Sequence, residues 1–479
     1  MTTLPTSSPA AQGVAASGVH AFLDGLEAAA DIEPHSLMIL RHDHVVASGW
    51  WTPYSPQRLH LLYSISKSFT ATAAGLAVAE GLIRLDDPVI SYFPEFEADI
   101  TDPRSRAMLV RHVASMSSGH LEDALDRARA LDAENLVRGF LLLPPDRDPG
   151  TVFAYNQPAT YTLAAILQKV TGQTLTEYLR PRLLDPLGIG ETAWIRYRTG
   201  GELGFSGLHA TTDALARLGL LYLRDGVWEG KRLLPEGWVA EASRAHIETA
   251  AGNPASVGSD WERGYGLQFW RSRHGYRGDG AYGQFCLVLP EHDAVIAMTS
   301  QTENMQKVLD LVWEHLLPAF GPGPMSGRQE EDAALAERLA RLALPSVPGK
   351  AAPPERAQDW AGAGFAPDET VREMLPAATA VQVSAAGDSW CVTLVEEGLR
   401  LELPLGRGGW TVVEEPMPVA VGGGWTDPDT LVVDVACLET PHHLVVTCSL
   451  PDATFSARWS TRPLHGRSLG SLRAPRGSV

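Results

Sequence analysis

Ser64 and Lys67 stand one helical turn apart at the head of an uncharged run, Phe69-Thr-Ala-Thr-Ala-Ala-Gly-Leu-Ala-Val-Ala, that stops at Glu80-Gly81. Small and apolar residues at that density, closed by a glycine, make the segment a buried helix. Residues three apart share a helix face, so the amine of Lys67 reaches the hydroxyl of Ser64. The chain has five lysines among its 39 basic residues. Lysine where an amine faces a hydroxyl has a chemical reading, because a buried Lys can shed its proton and act as a base whereas Arg cannot. Ser64 falls at or near the helix N-terminus, where unpaired backbone N–H groups and the positive end of the dipole favour a developing oxyanion.

Tyr63-Ser-Ile-Ser-Lys-Ser-Phe-Thr-Ala, followed by Glu80-Gly-Leu-Ile-Arg-Leu-Asp-Asp-Pro-Val, resembles the serine β-lactamase and penicillin-binding-protein superfamily, in its class C β-lactamase and esterase branch. Arg111-His-Val-Ala-Ser-Met-Ser-Ser-Gly and Gly207-Leu-His-Ala-Thr-Thr-Asp extend the likeness over roughly residues 15 to 320. The resemblance implies an acyl-enzyme on Ser64 with Lys67 as base. It also implies a Tyr-x-Asn element, to which Tyr155-Asn156-Gln157 is similar, with Tyr155 relaying protons between nucleophile and leaving group. The third position is Gln157 rather than Asn. Both carry an amide that donates to a carbonyl and accepts from an amine, but Gln is one methylene longer, and Asn156 is the alternative source of that amide.

The family's third element, Lys-Thr-Gly or a His-x-Gly variant, aligns with Gly278-Asp279-Gly280, and here the chain departs from the pattern. Glycines let a substrate lie close to the strand, and the backbone N–H at Ala281 becomes the second oxyanion donor, with Gly280 and Tyr282 beside it. No Lys or His occupies the first position, so only Arg277 or His274 could fold in to meet a substrate carboxylate. The departure favours an esterase or amidase over a lactamase or carboxypeptidase. Acyl transfer to an amine, as in peptide-cyclising or D-amino-acid-directed enzymes, is the alternative within enzymes. A catalytically silent binding protein is the alternative outside them, resting on Gly278 and Gln157.

At 479 residues and 44% hydrophobic content the chain has ample material for more than one core. Its net charge of −18 disfavours nucleic acid or an anionic membrane as partner. The expected partner is a small-molecule ester or amide, with the oligomeric state left open. Neither a secretory leader nor an apolar run of membrane-spanning length stands out, so the expected location is cytoplasmic. No cofactor and no metal is expected. The four cysteines read as free buried thiols, with Cys437 and Cys448, which flank the turn Glu439-Thr-Pro-His-His443, as the pair a disulfide would join. His442 and His443 point to opposite faces of a strand and read as turn or surface residues.

The expected fold is α+β. Residues 1–325 read as a β-lactamase-like domain, an antiparallel sheet with flanking helices plus a helical subdomain, in which strands at Ser36–Arg41, Val45–Trp51, Gly264–Trp270, Phe285–Pro290 and Ala294–Thr299 enclose the helices. Val308–Phe320 reads as an amphipathic helix. Residues 326–356 read as a helix and a Pro-rich linker. Residues 357–479 are short alternating strands split by Gly, Pro and Asp turns, the pattern of an antiparallel barrel or sandwich. The resemblance implies a lipocalin-like module that borders the active-site entrance. A chain ending near Pro348 would keep every residue assigned to chemistry.

Overall fold

The computed structural model describes residues 3–476 apart from 250–257 and residues 351, 354, 388, 407 and 467. Six strands form the central antiparallel sheet: β1 (Glu33–Arg41), β2 (His44–Trp50), β3 (Trp270–Arg271), β4 (Tyr276–Gly280), β5 (Gln284–Leu289) and β6 (Ala294–Gln301), in the spatial order β2-β1-β6-β5-β4-β3. The first two come from the chain's beginning and the other four from beyond residue 270, so the sheet closes around the helical insertion, as the strand pattern predicts. β1 shows why it lies in the middle. Leu37 and Ile39 face one core and Met38 and Leu40 the other, so neither face has a polar stripe to present to water.

Helix α1 (Ala16–Ala28) covers one face through Val19, Phe22, Leu23 and Leu26. The opposite face carries α2 (Ser66–Ala79) and the helical insertion, which includes α3 (Leu125–Leu131), α4 (Gln157–Thr171) and α5 (Thr212–Leu223). α5 starts where Thr211 accepts the Ala214 N–H at 3.2 Å. α6 (Met305–Leu311) continues as one π-helical turn and a short 3₁₀ turn to Ala319, so the amphipathic segment expected over 308–320 is helical but wound irregularly. Gly264–Trp270 is not a continuous strand: Trp270–Arg271 pairs as β3, and Tyr265 makes only isolated bridges to Ile247 and Trp270. Gln268 sits at φ 62° and turns its amide inward, with Nε2 donating to the carbonyl oxygens of Val113 and Ala114, which breaks the extended run.

The segment after residue 326 is not a free tether. α7 (Gln329–Leu339) buries Leu335 and Leu339 against the sheet and α1. Thr52 N–H donates to Leu342 O, and Leu344 N–H returns to Thr52 O. Beyond it nine strands form one nearly closed sheet: β7 (Gly364–Pro367), β8 (Ala378–Ala386), β9 (Ser389–Glu396), β10 (Leu399–Leu405), β11 (Thr411–Val413), β12 (Val419–Asp427), β13 (Thr430–Cys437), β14 (His443–Ser449) and β15 (Thr454–Trp459), ordered β10-β9-β8-β7-β15-β14-β13-β12-β11. β7, which escapes the sequence pattern, pairs parallel with the last strand. All four cysteines are free. Among the described residues no helix is long and apolar enough to cross a membrane.

The two parts share a core. Ala420, Ala436 and Leu438 of the barrel pack in one cluster with Leu37, Trp51 and Leu344. His442 and His443 do point in opposite directions, but both are buried rather than in a surface turn. Each reaches across to the part built on the central sheet: His442 Nε2 lies 2.6 Å from Tyr63 Oη and His443 Nε2 lies 2.9 Å from Glu33 Oε1.

Candidate active site

The chain reaches Ser64 through a 3₁₀ turn, Tyr63–Ile65, that runs directly into α2. Tyr63 is at φ 46°, a left-handed conformation that costs a non-glycine residue about 1–3 kcal/mol. Its phenol is held from outside: His442 Nδ1–H donates to Thr461 O at 3.0 Å, which leaves Nε2 to accept the Tyr63 O–H. Burial lowers the His442 pKa to about 3, consistent with a neutral acceptor. Strand β4 lies against this turn. A Cβ added at Gly278 would fall 2.7 Å from Ser68 Oγ, and one at Gly280 would fall 2.2 Å from Leu62 O, so both glycines are demanded by close approach. Ala281 follows directly on Gly280, the residue that meets Leu62.

Lys67, 1% exposed, donates to Ser64 Oγ at 3.2 Å, Gln157 Oε1 at 2.7 Å and Phe205 O at 2.8 Å. Burial brings its pKa down to about 7, against the pull of Asp123 and Asp279, which favour the charged form. Tyr155, just before α4, lies under Lys67 with Nζ 4.6 Å from the ring centroid, and it stacks on Trp270 at 5.4 Å. Burial and the nearby Asp279 push its phenol above the ordinary range, while a hydrogen bond to Ser64 pulls the other way. Of the two groups beside Ser64, Lys67 is therefore the one whose surroundings favour the neutral, proton-accepting form near neutrality.

Gln157 supplies the amide. Asn156 turns into the protein, its Oδ1 accepting Ala124 N–H at 3.1 Å and its Nδ2 donating to Ser118 Oγ at 3.3 Å, and so does not face the site. Gln157 N–H in turn donates to Asp123 at 3.1 Å. Ser66 and Ser68 are occupied elsewhere, with Tyr63 O and Gln268 O respectively. The Gly278 position holds no cation, and neither suggested replacement fills it. Arg277, fully buried, donates through Nε to Asp279 Oδ2 at 3.0 Å and lies 4.5 Å from the Trp261 ring centroid, while His274 packs on Trp313. The site-facing charge on β4 is thus the Asp279 carboxylate, neutralised from behind by Arg277. Tyr282 donates to Arg462 O in the C-terminal segment.

That segment contributes a residue the sequence pattern does not single out. His465 Nε2 is 2.6 Å from Ser206 Oγ, beside the Phe205 carbonyl that accepts from Lys67, and its ring stacks on Tyr63 at 5.7 Å. Burial lowers its pKa to about 4, aided by the Lys67 charge. Leu464, next to it, is 60% exposed.

A family model described as Beta-lactamase matches residues 19–320. The chain belongs to the β-lactamase family. It is 29% identical over 283 residues to the 6-aminohexanoate-dimer hydrolase of Paenarthrobacter ureafaciens, covering 55% of this chain and 72% of that one. It is 29% identical over 172 residues to the lovastatin esterase of Penicillium rubens, covering 31% and 43%. The fold matches a putative 6-aminohexanoate-dimer hydrolase from Bacillus anthracis with TM-score 0.53 at 18% identity, covering 66% of this chain and 87% of that one. Family and relatives together make the chain a β-lactamase-like serine hydrolase.

Proposed function

We propose that the protein cleaves a carboxylic ester or amide through an acyl-enzyme on Ser64. The observation that carries this reading is the buried Lys67 amine, 3.2 Å from Ser64 Oγ and brought near neutrality by its surroundings. Ser64 Oγ attacks the carbonyl carbon as its proton passes to Lys67 Nζ. The Ser64 and Ala281 N–H groups hold the oxyanion. Tyr155, a neutral phenol, passes the proton to the departing oxygen or nitrogen, and the acyl group remains on Ser64. Water then attacks the ester, giving its proton to Lys67, and Ser64 leaves with a proton returned by the same pair. Gln157 fixes the amine by accepting one of its hydrogens.

A fluorophosphonate probe should label Ser64, and Ser64→Ala should abolish labelling and turnover together. Peptide mapping that finds the label on Ser66 or Ser68 in the wild type would remove Ser64 from its role.

Substrate charge follows from β4. An anionic substrate meets Asp279 with its counter-charge already committed to Arg277, whereas a charge-assisted contact would contribute about 1.5–3 kcal/mol, or roughly one to two orders of magnitude in rate. Small neutral esters such as p-nitrophenyl butyrate should therefore outrun nitrocefin in kcat/KM by at least about tenfold. Nitrocefin turnover equal to or above the esters would overturn this preference while leaving the nucleophile intact.

A further inference from the structure

At the seam between the central sheet and the barrel, three side chains hold ligand atoms close together. Glu33 Oε1 lies 2.9 Å from His35 Nε2 and 2.9 Å from His443 Nε2, and all three atoms lie within 4.8 Å of one another. Glu33 and His35 stand on β1; His443 opens β14 of the barrel.

Hydrogen-bond bookkeeping makes this cluster unusual. His60 Nδ1 is 3.0 Å from Leu61 O, a pure acceptor, so that nitrogen carries a hydrogen. His60 Nε2 faces His35 Nδ1 at 3.2 Å. With His60 neutral, its Nε2 accepts, His35 Nδ1 donates, and His35 Nε2 is left as a bare lone pair aimed at a carboxylate oxygen. Two lone pairs at that distance repel unless a cation lies between them. On the other side, Asp434 Oδ1, buried and without a hydrogen-bond partner, lies 3.5 Å from His443 Nδ1 and so turns the Nε2 of that ring toward Glu33. Each imidazole thus has its outer nitrogen oriented by a second group, the arrangement that prepares the inner nitrogen to bind a metal. Tyr54 stacks on His35 at 3.8 Å and fixes the ring plane.

The geometry points to a divalent transition-metal site, most suited to zinc, held by Glu33, His35 and His443 and joining the barrel to the catalytic domain. Two imidazoles and one carboxylate suit zinc, cobalt or nickel rather than magnesium or calcium, which take oxygen ligands. Zinc–ligand bonds of about 2.0–2.2 Å in a tetrahedron place neighbouring ligand atoms about 3.3 Å apart or slightly more, so the two 2.9 Å separations from Glu33 need to open by only a few tenths of an ångström. A cavity of about 540 Å³, lined by Glu33, Pro34 and Thr461 among others, reaches the Glu33 side of the cluster. A dication there offsets the Glu33 and Asp434 carboxylates, and any proton on the ligand nitrogens leaves to solvent as the metal binds.

The test uses the full-length chain, stripped with a chelator and titrated with zinc chloride. Expected are uptake of about one ion per chain with release of protons, and a rise in the thermal unfolding midpoint. Cobalt(II) in place of zinc should show the visible absorption of a four-coordinate ion. Glu33→Gln and His443→Gln should remove the uptake and the midpoint rise. Asp434→Asn, which keeps all three ligands, should weaken affinity about 10- to 100-fold. Should the ligand variants fail to fold, the wild-type cobalt spectrum and the Asp434→Asn affinity decide. Uptake below about a tenth of an ion with an unmoved midpoint would overturn the proposal and leave protons alone holding the cluster. Stoichiometric uptake that survives in folded Glu33→Gln and His443→Gln would overturn it as well, since the ion would then sit elsewhere.

Discussion

Lys67→Arg should silence the enzyme almost as completely as Ser64→Ala, with kcat/KM falling by about 10³-fold or more although the positive charge is kept. The site holds the amine between Ser64, Gln157 and the Phe205 carbonyl, so a cation at this point could satisfy every hydrogen bond in the resting structure. What a guanidinium cannot do is lose a proton near neutrality, and Tyr155, whose phenol is pushed the wrong way by burial and by Asp279, cannot replace it. The same reasoning fixes the pH profile. With the Lys67 pKa lowered to about 7, the base is protonated and idle below that value and free above it. Wild-type kcat/KM should climb about tenfold per pH unit on the acid side and level off above pH 7. Asp123 favours the charged amine, so Asp123→Asn should move this limb to lower pH. Initial rates on a neutral ester from pH 5 to 9 measure all three variants. An active Lys67→Arg enzyme with an unshifted acid limb would assign the base to another group.

The readable part of the site is the part that is local in the chain. Ser64 and Lys67 are fixed by helix spacing, and the strand of Gly278 and Gly280 by the absence of side chains where two segments touch. Tyr155 came through the resemblance, and the structure sets its ring beneath the Lys67 amine. Asn156 illustrates the limit: adjacent to Gln157 and equally capable chemically, it is separated from it by direction alone, and direction depends on where Ser118 and Ala124 end up. Gly264–Trp270 has strand composition throughout, yet a single residue whose amide is needed by Val113 and Ala114 bends it out of the sheet. The barrel strands follow from alternation and turn residues, except β7, whose partner is the distant last strand. The histidines were least legible. His442, His443 and His465 gain their surroundings only when the barrel docks on the catalytic sheet, an event that no window of sequence contains.

That docking bears on a chain ending near Pro348, which by sequence keeps every residue assigned to chemistry. The truncated chain should lose at least about 100-fold in kcat/KM toward p-nitrophenyl acetate, equivalent to about 2.7 kcal/mol, and should tend to aggregate. Three losses act together. Removing Ala420, Ala436 and Leu438 strips cover from the cluster around Leu37, Trp51 and Leu344, exposing apolar surface that a monomer normally hides. Leu61 N–H loses the Glu439 carbonyl, 2.8 Å away, at the strand that leads into the nucleophile turn. Tyr63 loses His442 while still required to hold φ 46° next to Ser64, so relaxation of that residue displaces the attacking oxygen directly. A full-length His442→Ala variant isolates the third loss, because the apolar interface remains; it should retain the fold and lose about tenfold, the order of one buried hydrogen bond. Circular dichroism with matched ester kinetics on both proteins makes the comparison. If the truncated chain is soluble, folded and kinetically unchanged, the barrel has no part in holding the nucleophile, and the strain at Tyr63 is borne entirely by the catalytic domain.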